Sequence, residues 1–395
     1  MSALLDGITV LDLSRVLAGP YCAQLLADQG ASVVKVESPE GDECRAWGSP
    51  APNGLSHNFN SVNRGKRSIT LNLKSEPARG VLRRLAGQAD VVIQSFLPDT
   101  ARRLGVDYDS LRAVRPDLVF CSVSGFGSRG PLAGKPGYDL TMQAFSGIMS
   151  LTGHEGQPPV RSGVSFIDMT TGLNAYAGVT TALLARERTG RGAHVQVSLL
   201  ETAIALLGYH GVAWLQQGIM PRPQGSGIAH LVPYQAFRCA DGWLLAGATN
   251  DAAWRRFAQG LGRPDLADDP RFATNQGRLD HRGELVPLLE GIFASGTVAG
   301  WVERLQDRQV AVAPLHDLEQ ALGHPQVLAN DMVVTALTPA GQAVPLLGCP
   351  FKFAGEAMPP RRAPPPLGAD TADVLAGMLG LDAAEIEALR QAGAL

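Results

Sequence analysis

The first segments of this chain switch from strand periodicity to helix periodicity and back, and that switch constrains the fold more than any other feature. Ile8 to Leu13 alternates as a strand does. Pro20 to Gln29 carries a helical pattern, with Pro20 near its first turn and Gly30 as its stop. Ser32 to Glu37 is a second, valine-rich strand. A strand, a helix and a strand in this order form a β-α-β unit, whose strands pair in parallel through a right-handed crossover. The rhythm continues with strands at Ser68 to Leu73, Val91 to Phe96 and Leu118 to Ser124, and a helix at Glu76 to Leu85. The expected fold class is α/β, with a doubly wound parallel sheet in a large domain.

Farther along, two long helices are expected to flank Asp168, one after Tyr138 and one running to Arg188. Val195 to Ser198 reads as a short strand and Leu199 to Gln217 as an apolar helix. Pro221, Pro223, Gly225 and Gly227 then mark a loop. Tyr234 to Cys239 and Trp243 to Ala248 flank Ala240-Asp241-Gly242, a hairpin signal, and short helices follow to about Arg308. At 395 residues the chain is too long for one small core, so Gly225 to about Asn330 is taken as a smaller α+β domain. Met358 to Gly368 is a Pro-rich extended tether, and Asp382 to Ala392 a terminal helix with an acidic start.

Several functions are disfavoured by composition. A formal charge of −3 argues against nucleic acid as a partner, because phosphate binding needs a basic surface. No apolar run is long enough to cross a bilayer, and Met1 to Gly7 lacks the basic start of a signal peptide. Five cysteines without a Cys-x-x-Cys pair read as reduced thiols of a cytoplasmic protein. Eight scattered histidines give no zinc spacing, so no metal site is expected, and His230 reads as a loop or packing residue. Gly125-Phe126-Gly127-Ser128-Arg129-Gly130 has the form of a dinucleotide fingerprint, but Pro131, Gly134, Pro136 and Gly137 forbid the helix that must follow. Gly163-Val164-Ser165-Phe166-Ile167 lacks the second glycine of a nucleophile elbow.

The remaining chemistry lies in acids and cations. Asp168 sits in an apolar, Gly-containing stretch with no cation close in sequence, at a strand end or helix entrance. It is either a helix cap or a half-buried nucleophile that splits acyl transfer into two steps. Asp139 is either the cap of the helix that follows Tyr138 or, if near Asp168, one of a coupled pair. Lys66, Arg67, Lys74, Arg102 and Arg103 form either an ordinary solvated surface or the contacts of a phosphate-rich ligand.

In combination and order, a set of short motifs resembles the family III CoA-transferases. This is the CaiB/BaiF type, with formyl-CoA transferase and racemases of α-methylacyl-CoA among its members. The motifs are Leu5 to Leu13, Ala18-Gly19-Pro20, Gly30 to Glu37, Asn63 to Ile69, Leu71 to Lys74, Arg103-Leu104-Gly105, Ser124 to Gly127, Pro136 to Asp139, Gly163 to Asp168 and Arg188 to Gly192. The likeness runs from about residue 4 past residue 350.

The resemblance implies a function and a site. Asp168 matches the nucleophilic aspartate that forms mixed-anhydride and aspartyl-CoA thioester intermediates. Val16 and Ala18 would border the pantetheine, Leu71 and Phe96 would flank the adenine, and Lys74 and Arg103 would meet phosphates. Asp139 matches a position that supports the nucleophile by hydrogen bonding, and Trp47 resembles a tryptophan near the acyl group. Ser38 and Ser95 depart from the arginine and asparagine of some members. Gly225-Ser226-Gly227 is the counterpart of a mobile shielding loop, without the family's longer glycine run. The substrates implied are an acyl-CoA thioester and a carboxylic acid, with no tightly bound cofactor. The implied assembly is an interlocked-ring homodimer whose large domain takes residues 1–224 and 331–395.

Three functions compete. A CoA-transferase exchanges CoA between acids; Arg161 with the Ser162 and Ser165 hydroxyls would hold a second carboxylate, so a dicarboxylate acceptor with a succinyl-CoA donor is expected. A 2-methylacyl-CoA racemase is the alternative, but racemases of the group carry histidine where this chain has Tyr138, and tyrosine is a poor base near neutral pH. The third is a non-catalytic acyl-CoA-binding protein.

Overall fold

The computed structural model describes residues 4–358 and 362–395. Part of the Pro-rich tether, 359–361, lies outside the described residues. The chain begins β1 Thr9–Leu13, α1 Ala18–Asp28, β2 Ser32–Glu37, α2 His57–Val62, β3 Arg67–Thr70, α3 Glu76–Gln88 and β4 Val91–Gln94. It continues α4 Pro98–Leu104, α5 Tyr108–Arg112, β5 Val119–Ser124, α6 Asp139–Phe145, α7 Ile148–Leu151, α8 Phe166–Thr189, β6 Ala193–Ser198, α9 Leu199–Leu206 and α10 Gly208–Gln217.

The six strands form one parallel sheet in the order β3-β2-β1-β4-β5-β6. Winding runs outward from β1 to β3, returns to β4 beside β1, and runs outward again to β6. The direction therefore reverses between β1 and β4, and open α/β sheets bind ligands outside the strand C-termini at such a reversal. Val10 lies opposite Val33 on one side and Val91 on the other, and β1 is buried from Val10 to Leu13, with the charged Asp12 among its apolar residues. Leu11, Val34, Val92 and Phe120 pack with Val81, Leu82 and Leu85 of α3. Val374, Leu375 and Ile386 of the C-terminal helices Thr371–Leu379 and Ala383–Gln391 complete that core.

Two compact units divide the chain: 1–146 with 162–211 and 325–395, and 147–161 with 212–324. The sequence boundary was drawn at 225 and 330; the structure divides at 212 and 324, and adds 147–161 to the smaller unit. That unit holds an antiparallel sheet, β7 Tyr234–Arg238, β8 Trp243–Gly247 and β9 Ala311–Pro314, over a core that includes Trp254, Phe257 and Phe293.

Three local expectations change. The helix expected over Leu199 to Gln217 is two helices, because Gly208 takes a left-handed φ of +50°. The helix after Tyr138 is a short one ending at Phe145, before the turn at Gly147. The strands beginning at residues 68 and 91 stop at Thr70 and Gln94, which frees Leu71 to Leu73 and Ser95 to Phe96 to line the sheet edge.

Under that edge lies a set of buried charges. Lys66 Nζ donates to Asp12 Oδ2, Pro20 O and Asn63 Oδ1, each at 2.8 Å. Lys35 Nζ donates to Ser14 O at 3.0 Å and pairs with Asp42 at 2.9 Å. Arg45 grips both oxygens of Glu37 at 2.7 Å. Burial alone would raise the Asp12 carboxyl, but Lys66 and Lys35 outweigh it and hold it below the usual carboxylate range. Removing one partner from a buried set strands the rest, at a cost of about 3–5 kcal/mol. Lys66→Met is therefore expected to lower unfolding free energy by about that amount in a denaturant titration. Removal of the exposed Glu76 pair with Arg83 is expected to leave stability nearly unchanged. Equal, small losses for the two would show that the buried set does not anchor the sheet edge.

Candidate active site

Two cavities adjoin at the C-terminal edge of the sheet. The first, about 620 Å³, is lined by Leu71, Lys74, Phe96 and Arg103, with Arg79 and the buried Lys35. Arg79 is engaged by Glu76, whereas Lys74 and Arg103 have no salt-bridge partner among the described residues. The second cavity, about 210 Å³, is lined by Val16, Ala18, Gly125, Gly137, Tyr138 and Asp168. Arg15 and Phe96 line both. The structure thus places Leu71, Lys74, Phe96 and Arg103 around one chamber and Val16, Ala18 and Asp168 around the next.

Close backbone packing shapes the second cavity. Gly125 and Gly137 touch so nearly that a Cβ on Gly125 would lie 2.6 Å from the Gly137 nitrogen. A Cβ on Gly172 would lie 2.6 Å from the Ala18 carbonyl oxygen, so α8 meets α1 through a glycine. Val16 has a φ of +70°, an unfavourable region for a β-branched residue. Its N–H donates to the Asp42 carboxylate at 3.2 and 3.3 Å, and Lys35 holds Asp42 in turn.

Asp168 is the third residue of α8 and is 8% exposed. It caps nothing: Ser165 is the N-cap residue, without a side-chain cap bond. The cap comes from outside the helix. Asp139 Oδ2 accepts from the N–H groups of Ile167 at 2.9 Å and Asp168 at 3.1 Å. Asp139 Oδ1 accepts from Gln143 Nε2, and Gln143 Oε1 accepts from the Ser162 N–H at 2.9 Å. Asp139 therefore caps α8 rather than its own helix, and it bonds the backbone of Asp168, not its carboxylate. Among the described residues no donor meets the Asp168 carboxylate. Burial, followed by the charge of Asp139, pushes that carboxyl up to about 7.

Other sequence candidates lie elsewhere. Lys66 is wholly buried in the charge set beneath the sheet edge, so it faces no ligand. Arg67 donates to Ser32, and Arg102 pairs with Asp99 on the surface. Trp47 lines neither cavity. Ser38 lines the first cavity; Ser95 lines the second, where its Oγ accepts from the Arg15 N–H at 3.1 Å. Arg161 and Gly225-Ser226-Gly227 belong to the smaller unit. Sequence reasoning missed Arg15, Lys135 and Gln143. The four-residue spacing of Gln143 from Asp139 on a helix was the available signal for the last.

The raised Asp168 carboxyl has a consequence for stability. Between pH 4 and 7 the unfolded chain has released this proton while the folded protein keeps it, so the contribution to stability is full below about 4 and is lost as pH rises through about 7. A rise from 3.8 to about 7 corresponds to at most about 4 kcal/mol. Asp168→Asn removes the titration. Its unfolding free energy relative to wild type is expected to climb across that window and level off above it; a pH-independent difference in thermal or denaturant melts would contradict the burial of the acid.

Comparison with known proteins gives a consistent result. The model of "CoA-transferase family III" matches residues 5–371. The chain is 39% identical to an acyl-CoA transferase of Fusarium pseudograminearum, over 98% of this chain and 88% of that protein. It is 35% identical to the succinyl-CoA:glutarate CoA-transferase of Mus musculus, over 99% of this chain and 90% of that one. A crystal structure of a CAIB/BAIF family protein from Brucella suis superposes with a TM-score of 0.86 at 36% identity, covering 96% of this chain and 100% of that one. With its parallel sheet, paired cavities and full-length matches, the chain belongs to CoA-transferase family III, an enzyme family acting on CoA thioesters.

Proposed function

We infer that this enzyme moves CoA from a donor acyl-CoA to an acceptor carboxylic acid through covalent intermediates on Asp168. The observation that carries the reading is that Asp168 faces a cavity with no donor on its carboxylate, while Asp139 takes the N–H groups of its helix turn. An acid so placed is poorly satisfied as a structural group and suited to attack a carbonyl.

The steps balance without a further reactant. The Asp168 carboxylate attacks the donor thioester carbonyl and expels CoA thiolate, leaving a mixed anhydride. The thiolate attacks the Asp168 carbonyl carbon and releases the donor acid as its carboxylate, leaving an aspartyl-CoA thioester. The acceptor carboxylate attacks that same carbon, expelling thiolate and forming a second anhydride. The thiolate then attacks the acceptor carbonyl, forming the new acyl-CoA and freeing Asp168.

The CoA nucleotide fits the larger cavity, with Leu71 and Phe96 against the adenine and Lys74 and Arg103 toward phosphates. The pantetheine arm passes Val16 and Ala18 to reach Asp168. Asp139 supports the site through the backbone rather than by touching substrate. A dicarboxylate acceptor with succinyl-CoA as donor is supported by relatives named succinyl-CoA:glutarate CoA-transferase in mouse and succinate–glutarate CoA-transferase in Agrobacterium fabrum, the latter 36% identical. An interlocked homodimer in the cytoplasm, with Gly225 to Gly227 as shielding loop, belongs to the same reading and rests on the family resemblance. Tyr138 on the cavity wall, in place of a basic histidine, speaks against racemisation.

Incubation with succinyl-CoA and hydroxylamine is expected to leave a hydroxamate at Asp168, detected by peptide mass spectrometry. Rates should rise with pH through about 7 as the attacking carboxylate ionises. A wild-type protein that exchanges thioesters without labelling at residue 168, or an Asp168→Asn variant of full activity, refutes the covalent route. A screen of acceptors with succinyl-CoA should favour dicarboxylates over monocarboxylates of equal length; the reverse order removes the acceptor assignment and leaves the covalent route standing.

A further inference from the structure

One neutral side chain ties together the acid pair and the backbone that carries it. Gln143 is fully buried on α6. Its Nε2 donates to Asp139 Oδ1 and its Oε1 accepts from the Ser162 N–H at 2.9 Å. The opposite Asp139 oxygen accepts from Ile167 N–H and Asp168 N–H at 2.9 and 3.1 Å. The bonds thus form one path from Ser162 through Gln143 and Asp139 to the first turn of α8.

The path spans a gap in the large unit. The chain leaves that unit after Ser146 and rejoins it at Ser162. Sequence continuity therefore does not hold residue 162 against α6, and the Gln143 amide does. The position is chemically exacting. A carboxylate oxygen must receive a proton donor while a peptide N–H must receive an acceptor. An amide offers both without charge, whereas lysine and arginine only donate and leucine does neither.

We propose that Gln143 is the positioning residue of this site: it sets which way the Asp139 carboxylate faces, and through it the turn that aims Asp168 into the cavity. The proposal rests on the reading of Asp168 as the reacting group. With Gln143 holding one Asp139 oxygen, the other is aligned with two converging N–H groups. Without it the carboxylate is held only by those two N–H groups, and the tie from the α8 cap to Ser162 is lost. Among the described residues, the charged and titratable groups around this path begin with Arg161, next to Ser162 in sequence. On α8 there is Asp168 itself. On α9 there is Glu201, whose carboxylate accepts from Ser198 Oγ at 2.6 Å. The cavity wall adds Arg15, Glu43, Lys135 and Tyr138. Asp139 is the charge that acts on Asp168.

The test measures exchange of labelled succinate into succinyl-CoA by wild type, Gln143→Leu, Gln143→Glu and Asp168→Asn. Gln143→Leu is expected to lower kcat roughly tenfold to a hundredfold while KM for succinyl-CoA stays within about twofold, as misaligned reacting groups do. Gln143→Glu separates positioning from packing. With its new carboxyl protonated it still donates to Asp139 and accepts from Ser162; once ionised it repels Asp139. Its rate relative to wild type is therefore expected to fall steadily as pH rises from about 5 to 8. A relative rate that is flat with pH overturns the proposal, because a space-filling role would give that result. This arm also decides the matter if the leucine variant fails to fold. Full exchange by Asp168→Asn overturns the reading of Asp168 and this proposal with it, whereas an inactive Asp168→Asn beside a flat Gln143→Glu profile overturns this proposal alone.

Discussion

The sheet edge depends on a balanced set of buried ions. Asp12, Glu37 and Asp42 supply the negative charges, and Lys35, Lys66 and Arg45 the positive ones. Charge burial is costly, and apolar residues of the same volume would pack with less penalty. The ions do something that apolar packing cannot. They bond specific backbone atoms: Lys66 the Pro20 carbonyl, Lys35 the Ser14 carbonyl, and Asp42 the Val16 N–H. Those atoms belong to the turn between β1 and α1 and to the start of α1, and the turn is held with Val16 in a left-handed conformation. The same turn forms the boundary between the two cavities, where Arg15 lines both. Observed strain at a cavity wall, over-determined by ion pairs, is the arrangement expected where a fold fixes a ligand path.

Asp168 obeys the opposite rule. Every buried carboxylate beneath the sheet edge has a cation, while Asp168 has a second carboxylate as its neighbour. The start of a helix would ordinarily favour an acid in its first turn. Here the N–H groups of Ile167 and Asp168 are already committed to Asp139. The helix dipole is thereby answered by one acid, and the other is left to ligand and solvent. This division of labour between two carboxylates explains how a residue can sit in a cap-like sequence position without capping.

Much of the fold was legible because the sheet is parallel and buried. Segments such as Ser32 to Glu37 leave few alternatives to a central strand, and the observed limits of β2 coincide with the expectation. The ends of β3 and β4 were overextended because apolar residues at Leu71, Leu73 and Phe96 look alike whether they continue a strand or line a cavity. Lys66 was read as either a surface cation or a phosphate contact, and is neither, because single-sequence pattern carries no sign of the acid it meets: Asp12 lies 54 residues away. For the same reason the residues alone left Asp139 between a cap for its own helix and a partner of Asp168. Its partners at Ile167 and Asp168 lie 28 and 29 residues on, beyond an excursion into another unit. Motif order carried the family where residue-level reasoning about Asp168 left two options open.

Family membership fixes the class of reaction, and on the covalent route inferred above the electrostatics of residue 168 bear on how fast it can run. A carboxylate at its ordinary pKa is fully ionised at neutral pH but is a weak nucleophile. Raising the pKa strengthens the nucleophile and depletes the ionised fraction, and the best compromise lies near the working pH. A value of about 7 sits at that compromise. Burial supplies most of the rise and Asp139 the remainder. Asp139 lines neither cavity, so the second contribution depends on how the Asp139 charge is held and not on the cavity wall; on the covalent route inferred above, tuning of the attacking acid and shaping of the pocket are then separable.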